Sequence, residues 1–276
     1  MLSYQHTYHA GNAADVHKHL ALVCLLQHLR QKESPFTYID THAGRGLYDL
    51  QSEEALKTGE AQSGIHLLLE TMPGDKCLQT YRDAIMAFNS PDSVIRFYPG
   101  SAALAQHFMR EQDRAILMEA HPQEIAALRV NLGRDKRFAL HQRDAYEGLP
   151  ALVPPAIKRG LVLIDPSYEE KQEYERLAGL LQKACRRWSN AVYMLWYPLL
   201  REARHEHLLR RLGAAGYSKT LHSEFVLDPE GDGMFGSGLF ILNPPWLFGE
   251  QFSAAMAEVQ KRLAVTQGAT HQLLAD

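Results

Sequence analysis

The stretch Leu161-Val162-Leu163-Ile164-Asp165-Pro166-Ser167-Tyr168 decides how the rest of the chain is read. Four consecutive branched apolar residues form a strand buried on both faces, the kind that lies inside a parallel sheet covered by helices. Pro166 has no N–H to give a ladder, so the strand stops at Asp165. A carboxylate at that position stands at the C-terminal end of a buried strand, where open α/β sheets bind their ligands.

Outward from this strand the apolar pattern alternates. Before it, strands are expected at Phe36 to Ile39, Val94 to Tyr98, Ala115 to Met118 and Phe138 to His141, with helices at Ala102 to Arg110 and Gln123 to Leu132. Ala14 to Lys32 reads as an amphipathic helix after the Gly11-Asn12 start signal, and Ile65 to Met72 and Cys77 to Phe88 as helical segments parted by Pro73-Gly74. After it come a helix from Glu169 to Arg187, strand Ala191 to Trp196, helix Arg201 to Ala215, strands Tyr217 to Leu227 and Gly238 to Leu242, and a last amphipathic helix. Such alternation specifies a doubly wound α/β sheet. The Gly231-Asp232-Gly233 turn adds an antiparallel hairpin at one edge. The expected architecture is Rossmann-like: a mostly parallel seven-stranded sheet with an antiparallel edge strand, which is the look of a class I methyltransferase. It is read as one domain over residues 1–276, with a small helical insertion at about 48–93.

Composition bounds the function. At 276 residues and 46% hydrophobic content the chain can bury a sizeable core. No stretch approaches the ~18 uninterrupted apolar residues of a spanning helix, and Met1 to Gly11 has no apolar run, so the expected location is the cytoplasm, away from membranes. A net charge of -3 excludes a generic nucleic-acid coat, because sequence-independent affinity comes from neutralised phosphates. RNA contact would rest on local runs: Arg134/Lys136/Arg137/Arg143, Lys158/Arg159, Arg186/Arg187 and Arg201/Arg204/Arg210/Arg211, though each run taken alone reads as solvated surface ahead of an RNA contact. Cys24, Cys77 and Cys185 form no C-x-x-C pair and read as buried small residues. His6, His9, His17 and His19 have no carboxylate or cysteine at ligand spacing, so no metal is expected.

Four positions at strand ends carry the chemistry. Asp40-Thr41-His42-Ala43-Gly44-Arg45-Gly46 supplies a carboxylate and two glycines that let backbone approach a cofactor. Glu119 is placed to accept from ribose hydroxyls, or to cap the helix that follows. Asp144 is placed to accept from an adenine amine, or equally to cap a helix. Asp165-Pro166-Ser167-Tyr168 resembles motif IV of the amino-methyltransferases. An exocyclic amine is a poor nucleophile because its lone pair is delocalised into the ring. The Asp165 carboxylate and the Pro166 carbonyl accept its two N–H bonds and favour a pyramidal nitrogen, while Tyr168 stacks on the base. Asn243-Pro244-Pro245-Trp246 is a second copy of the pattern, set aside because it follows the edge hairpin instead of the parallel alternation.

At this point the whole chain resembles the ribosomal RNA large subunit methyltransferase J (RlmJ, YhiR) family of adenine-N6 methyltransferases. The likeness rests on Met1-Leu2-Ser3-Tyr4-x-His6, His9-Ala10-Gly11-Asn12, Asp15-Val16-x-Lys18-His19, Asp40-Thr41-His42-Ala43-Gly44-x-Gly46, Tyr98-Pro99-Gly100-Ser101, Arg110-Glu111-Gln112-Asp113, Glu119-x-His121-Pro122, Leu195-Trp196-Tyr197-Pro198 and Asn243-Pro244-Pro245-Trp246. The resemblance implies a monomeric, S-adenosylmethionine-dependent enzyme acting on one adenine of large-subunit rRNA, either protein-free or in an early assembly intermediate. It implies His19, His42, Ser101, Glu119, Asp144 and Ala145 at the cofactor, joined by Gly44 and Asp165. It gives Asp165 the catalytic role, with Pro166 and Tyr168 beside it. It places Tyr4, His6 and Lys18 in an N-terminal segment over the substrate RNA. Ser167 stands where the family usually has a second proline, which leaves the Pro166 carbonyl available and loosens the loop. On helix geometry alone Lys18 lies opposite Val16, away from the apolar face. The competing functions are a DNA adenine-N6 methyltransferase, for which a separate target-recognition domain is expected, and a non-catalytic RNA-binding protein on the same fold. A nicotinamide enzyme needs a G-x-G-x-x-G run that His42 to Gly46 does not supply.

Overall fold

A computed structural model describes residues 5–90, 94–230, 233–263 and 270–275. A 3-10 turn at His6–Tyr8 leads into α1 (Ala13–Arg30) and β1 (Thr37–Asp40). The excursion that follows holds β2 (Leu47–Asp49), α2 (Glu53–Thr58), a π-helical turn at Gln62–His66, α3 (Leu67–Leu69), α4 (Lys76–Met86) and β3 (Phe97–Pro99). Regular alternation then runs α5 (Ser101–Phe108), β4 (Arg114–Met118), α6 (Pro122–Leu132), β5 (Phe138–His141), α7 (Ala145–Leu152), β6 (Gly160–Ile164), α8 (Glu173–Arg187) and β7 (Val192–Leu200). The chain ends with α9 (Arg204–Gly213), β8 (Thr220–Val226), β9 (Met234–Leu242), α10 (Phe248–Leu263) and β10 (Thr270–Ala275).

The main sheet has eight strands in the order β10-β8-β9-β7-β6-β1-β4-β5. β5, β4, β1, β6 and β7 pair in parallel, and helices cover both faces. This is the doubly wound class I architecture expected from the sequence, with three corrections. The sheet has eight strands rather than seven, because Thr270–Ala275 adds a strand antiparallel to β8. Its six residues carry no β-branched run, and an edge strand held by one ladder needs none. The antiparallel β9 is not at the edge but lies between β7 and β8, pairing with both. The expected strand at Val94 to Tyr98 does not join the sheet; its last residues pair with Leu47–Asp49 in a separate ribbon that stops at Pro99, which lacks an N–H. Gly231 and Asp232 of the expected turn lie outside the described residues. Of the three cysteines, only Cys24 is buried.

α1 departs most from expectation. It is not amphipathic: fourteen of its eighteen residues are buried, because the helix threads between α4, α5, α10 and the sheet. Its polar residues survive burial by finding partners, as buried polar groups must. His17 bonds Ser237 Oγ at 2.9 Å and Ser223 Oγ at 2.8 Å, and Ser223 Oγ also meets His271 Nε2 at 2.8 Å. His19 Nδ1 meets the Tyr98 hydroxyl at 2.7 Å. The helix start is fixed by Asn12, whose side chain accepts from the Asp15 N–H at 2.8 Å, and by the π-helical turn, where the Ile65 N–H donates to the Gly11 carbonyl at 2.8 Å.

Two outcomes are expected. A methyl group on Gly64 would meet the Gly11 carbonyl oxygen and come within 2.8 Å of Asn12 Cα, both backbone atoms that cannot swing away. Gly64→Ala therefore lowers stability to urea by about 1–3 kcal/mol, whereas Gly179→Ala on α8, with open space around it, raises it by about 0.5–1 kcal/mol. Equal effects at the two positions would contradict the packing described. The second outcome concerns acid. Burial lowers the pKa of His17 well below its ordinary value, of His19 to about 3, and of His42 and His271 to about 4. Below pH 6.5 the unfolded chain takes up protons that the folded chain refuses, so stability falls as pH drops from 6.5 toward 4. Asp40 and Glu173, raised by burial to about 6 and about 7, and Glu119 and His9, also raised, act in the opposite sense but are outnumbered once His28, His66, His107 and His205, all lowered by burial, are added. A melting temperature that stays level or rises between pH 6.5 and 4.5 would contradict this balance.

Candidate active site

Parallel register brings the strand-end residues together. β1 pairs Asp40 with Leu117 of β4 and with Leu163 of β6, and β4 pairs Met118 with His141 of β5. Asp40, Glu119, Asp144 and Asp165 therefore emerge at one edge of the sheet. Below them opens a cleft of about 730 Å³, within the usual range for a small-molecule site. His6, Lys18, His19, His42, Gly44, Ser101, Glu119, Asp144, Ala145, Asp165, Pro166 and Tyr168 all line it. Of the site residues expected from sequence only Tyr4 is not placed, because it lies outside the described residues.

On the β1 side the loop after Asp40 is fixed by its own hydrogen bonds. Asp40 is fully buried and accepts from the Tyr38 and Ser101 hydroxyls, each at 2.7 Å, and from the His42 N–H at 3.2 Å. Burial raises its pKa to about 6 against those donors. Glu119 accepts from the Gly44 N–H at 2.9 Å and the His121 N–H at 2.7 Å. Burial raises its pKa as well, with the two N–H groups opposing. Gly44 sits at φ 56° against the Tyr48 hydroxyl, so only glycine lets the loop turn here. Asp144 is exposed and its Oδ1 caps α7 by accepting from the Tyr146 and Glu147 N–H groups at 2.8 and 3.2 Å. The capping role that sequence left open is thus present, at a residue that also lines the cleft.

The far wall is built around a buried ion pair. Lys18 Nζ donates to Asp165 Oδ2 at 2.6 Å and lies 3.0 Å from Asp15 Oδ1. It also stands 5.6 Å over the Trp196 ring. Lys18 is 5% exposed, so the expectation of a lysine facing outward is wrong. α1 packs on β6 and β9 of the sheet, and two carboxylates replace water around the ammonium group. Burial opposes its charge, but Asp165 and Asp15 outweigh that and its pKa stands above the ordinary value. Asp15, which carries no expected role of its own, is the centre of this wall. Its Oδ2 accepts from the Gly11 N–H and meets His6 Nε2, each at 2.9 Å, and its Oδ1 lies 4.0 Å from His19 Nε2. Burial would raise its pKa, but His6, Lys18 and His19 hold it well below the carboxylate range. The signal was the spacing Asn12-x-x-Asp15-x-x-Lys18, two successive i, i+3 relations at a helix start. It also corrects the view that no carboxylate partners the N-terminal histidines. Even so, no metal-holding group of three or more His, Cys, Asp or Glu occurs among the described residues.

Tyr168 adopts φ 57° and its phenol donates to the Trp196 carbonyl at 2.6 Å. Its ring packs 4.5 Å from that of Tyr174. Thus the loop bearing Ser167 is tied down two ways despite the missing second proline. Asn243, the alternative motif, ends β9 where Leu242 pairs with Tyr193 at the start of β7. That is the opposite end of the sheet, and its amide donates to the Ser189 and Ala191 carbonyls. It is a structural turn. Among the basic runs, Arg143 lines the cleft. Arg137 is engaged with Asp135, Arg187 with the Pro150 carbonyl and Arg211 with the Glu175 carbonyl. Sequence reasoning missed Arg176, which also lines the cleft and stacks 3.7 Å over the Tyr146 ring.

Comparison with known proteins agrees with this arrangement. The chain is 37% identical to Ribosomal RNA large subunit methyltransferase J of Escherichia coli over 98% of its own length and 97% of that protein. It is also 37% identical to the protein of that name from Haemophilus influenzae over 95% of its length and 94% of the relative. A crystal structure of protein LPL1258 from Legionella pneumophila superposes with a TM-score of 0.88 at 34% identity, covering 97% of this chain and 98% of that one. The family model described as Ribosomal RNA large subunit methyltransferase D, RlmJ, matches residues 33–273. With that match over most of its length and relatives alike from end to end, the chain belongs to the RlmJ family of ribosomal RNA large subunit methyltransferases.

Proposed function

We propose that this chain transfers the methyl group of S-adenosylmethionine to the N6 amine of an adenine in large-subunit rRNA. The observation that carries the reading is the convergence of Glu119, Asp144 and Asp165 on one cleft, with the Asp-Pro-x-Tyr turn as its far wall. The donor set suits the cofactor. Glu119 keeps lone pairs for ribose hydroxyls, Asp144 and Ala145 meet the adenine edge, and the Gly44 turn brings backbone close. His19, His42 and Ser101 line the stretch between. Bound there, S-adenosylmethionine supplies an electrophilic methyl group on a sulfonium.

The chain's own residues do the rest. Lys18 occupies Asp165 Oδ2, which leaves Oδ1 to accept one N–H of the target amine while the Pro166 carbonyl accepts the other. The nitrogen lone pair is thereby turned out of the ring plane toward the methyl group. Tyr168, locked through its phenol, offers a fixed face to the base, which must leave any surrounding stack to enter. Lys18 and His6 form the side over which the RNA lies, with Asp15 setting the positions of both. The two curated relatives are named for ribosomal RNA, which favours RNA over DNA. We further read the chain as a cytoplasmic monomer, one methyltransferase domain with residues 48–93 inserted, acting on protein-free rRNA or an early assembly intermediate. No helix among the described residues is long and apolar enough to cross a membrane.

The test is transfer from labelled S-adenosylmethionine to protein-free large-subunit rRNA and to matched DNA, followed by nucleoside analysis. N6-methyladenosine in the RNA alone is expected; label in DNA, or on another atom of the base, would overturn the reading. Asp165→Ala is expected to keep measurable S-adenosylmethionine binding by calorimetry and to lose transfer by about 10²- to 10³-fold or more. Transfer at the wild-type rate would remove Asp165 from the reaction.

A further inference from the structure

Buried polar atoms without partners are rare in native proteins, and each asks for an explanation. Six side-chain atoms of this kind occur among the described residues, and three of them, Tyr146 Oη, Glu173 Oε2 and Tyr174 Oη, belong to the region where the first turns of α7 and α8 meet. Tyr146 and Glu173 line the cleft, and Tyr174 packs behind them against Tyr168. Glu173 is 9% exposed. Backbone N–H groups of Tyr168 and Glu170 face its carboxyl group, yet Oε2 is left over. Arg176 completes the wall, its guanidinium lying flat on the Tyr146 ring at 3.7 Å.

Resting on the rRNA adenine reading above, we propose that this wall is a second nucleoside subsite, which takes a base next to the methylated adenine and reads its exocyclic amine with Glu173. The target base is not the occupant, because its amine belongs at Asp165, and the Tyr168 side chain, which feels both carboxyl groups, is locked to the Trp196 carbonyl and packed on Tyr174. The cofactor's adenine is not the occupant either. Its edge is met by Asp144 and Ala145, and its adenosine end carries no anion for Arg176, whereas an RNA nucleotide brings a base and a phosphate together. Above its raised pKa of about 7 Glu173 is a carboxylate, and its single remaining oxygen accepts one N–H. Adenine and cytosine offer an exocyclic amine there, uracil presents a carbonyl oxygen and is repelled, and guanine must turn its other edge inward to offer its amine.

The experiment uses single-turnover transfer at about pH 8.5, where Glu173 is ionised, from labelled S-adenosylmethionine to rRNA fragments centred on the methylated adenine, each flanking nucleotide being changed in turn to the other three. With the wild-type chain, uridine at one flanking position is expected to slow transfer about tenfold or more. Glu173→Gln keeps the shape and the acceptor for the backbone N–H groups but adds a donor. It is expected to bring that penalty within about twofold while S-adenosylmethionine affinity and melting temperature stay at wild-type values. A wild-type chain indifferent to both neighbours overturns the subsite. So does a Glu173→Gln variant that keeps the base preference and binds S-adenosylmethionine more weakly, which would assign the wall to the cofactor. Absence of transfer to any fragment by the wild-type chain would instead sink the activity reading, and the subsite with it.

Discussion

One buried ammonium group holds the site together. Lys18 Nζ, enclosed between Asp165 and Asp15, links the end of β6 to the first turn of α1. Taking three charges out of water is costly, and removing one partner of such a cluster strands the others at a cost of about 3–5 kcal/mol. The surroundings follow from that constraint. Asp15 must be fixed, so Asn12 caps its N–H and the Gly11 N–H bonds its carboxylate. The turn at Gly11 must be fixed in turn, so it packs on the π-helical segment, where Gly64 and Ile65 grip it. The excursion between β1 and β3 thus braces the Lys18–Asp165 wall of the cleft from outside the sheet.

The opposite wall obeys a different constraint, that of strand register. Parallel pairing of β6, β1, β4 and β5 sets their C-terminal ends level, and whatever side chain follows each strand faces one cleft. Asp40 differs from its neighbours in being wholly enclosed by donors from Tyr38, Ser101 and His42. It shapes the loop, while Glu119 and Asp144 stand nearer the space a cofactor would fill. The Lys18 wall is closed by Trp196, whose ring faces Lys18, whose carbonyl holds Tyr168 and whose indole N–H donates to Ser237 Oγ.

The parallel core and the site were legible in the sequence for a local reason. The run Leu161 to Ile164 and the acidic residue that ends it lie within five positions of each other, and the earlier strands β1, β4 and β5 repeat that local grammar with Asp40, Glu119 and Asp144. What was not legible depended on distant partners. The polar residues of α1 look like a solvent face because the groups that satisfy them, Ser237 and Ser223 for His17 and Asp165 for Lys18, lie 147 to 220 residues away. The strand at Thr270–Ala275 escaped because its partner β8, and not its own composition, makes it a strand. Asn243 shows the converse. Its motif is locally as good as that of Asp165, and only the antiparallel direction of β9 carries it to the wrong end of the sheet.

The central claim is that Lys18 acts on the reaction through Asp165. A double-mutant cycle in single-turnover transfer tests it most directly, with Lys18→Met, Asp165→Asn and the pair compared with wild type, and folding checked by melting temperature. If the ion pair is the working unit, the double variant transfers within about threefold of Asp165→Asn alone, because Lys18 has nothing left to position. If Lys18→Met slows Asp165→Asn by the same factor by which it slows the wild-type chain, the two residues act independently and the account is contradicted.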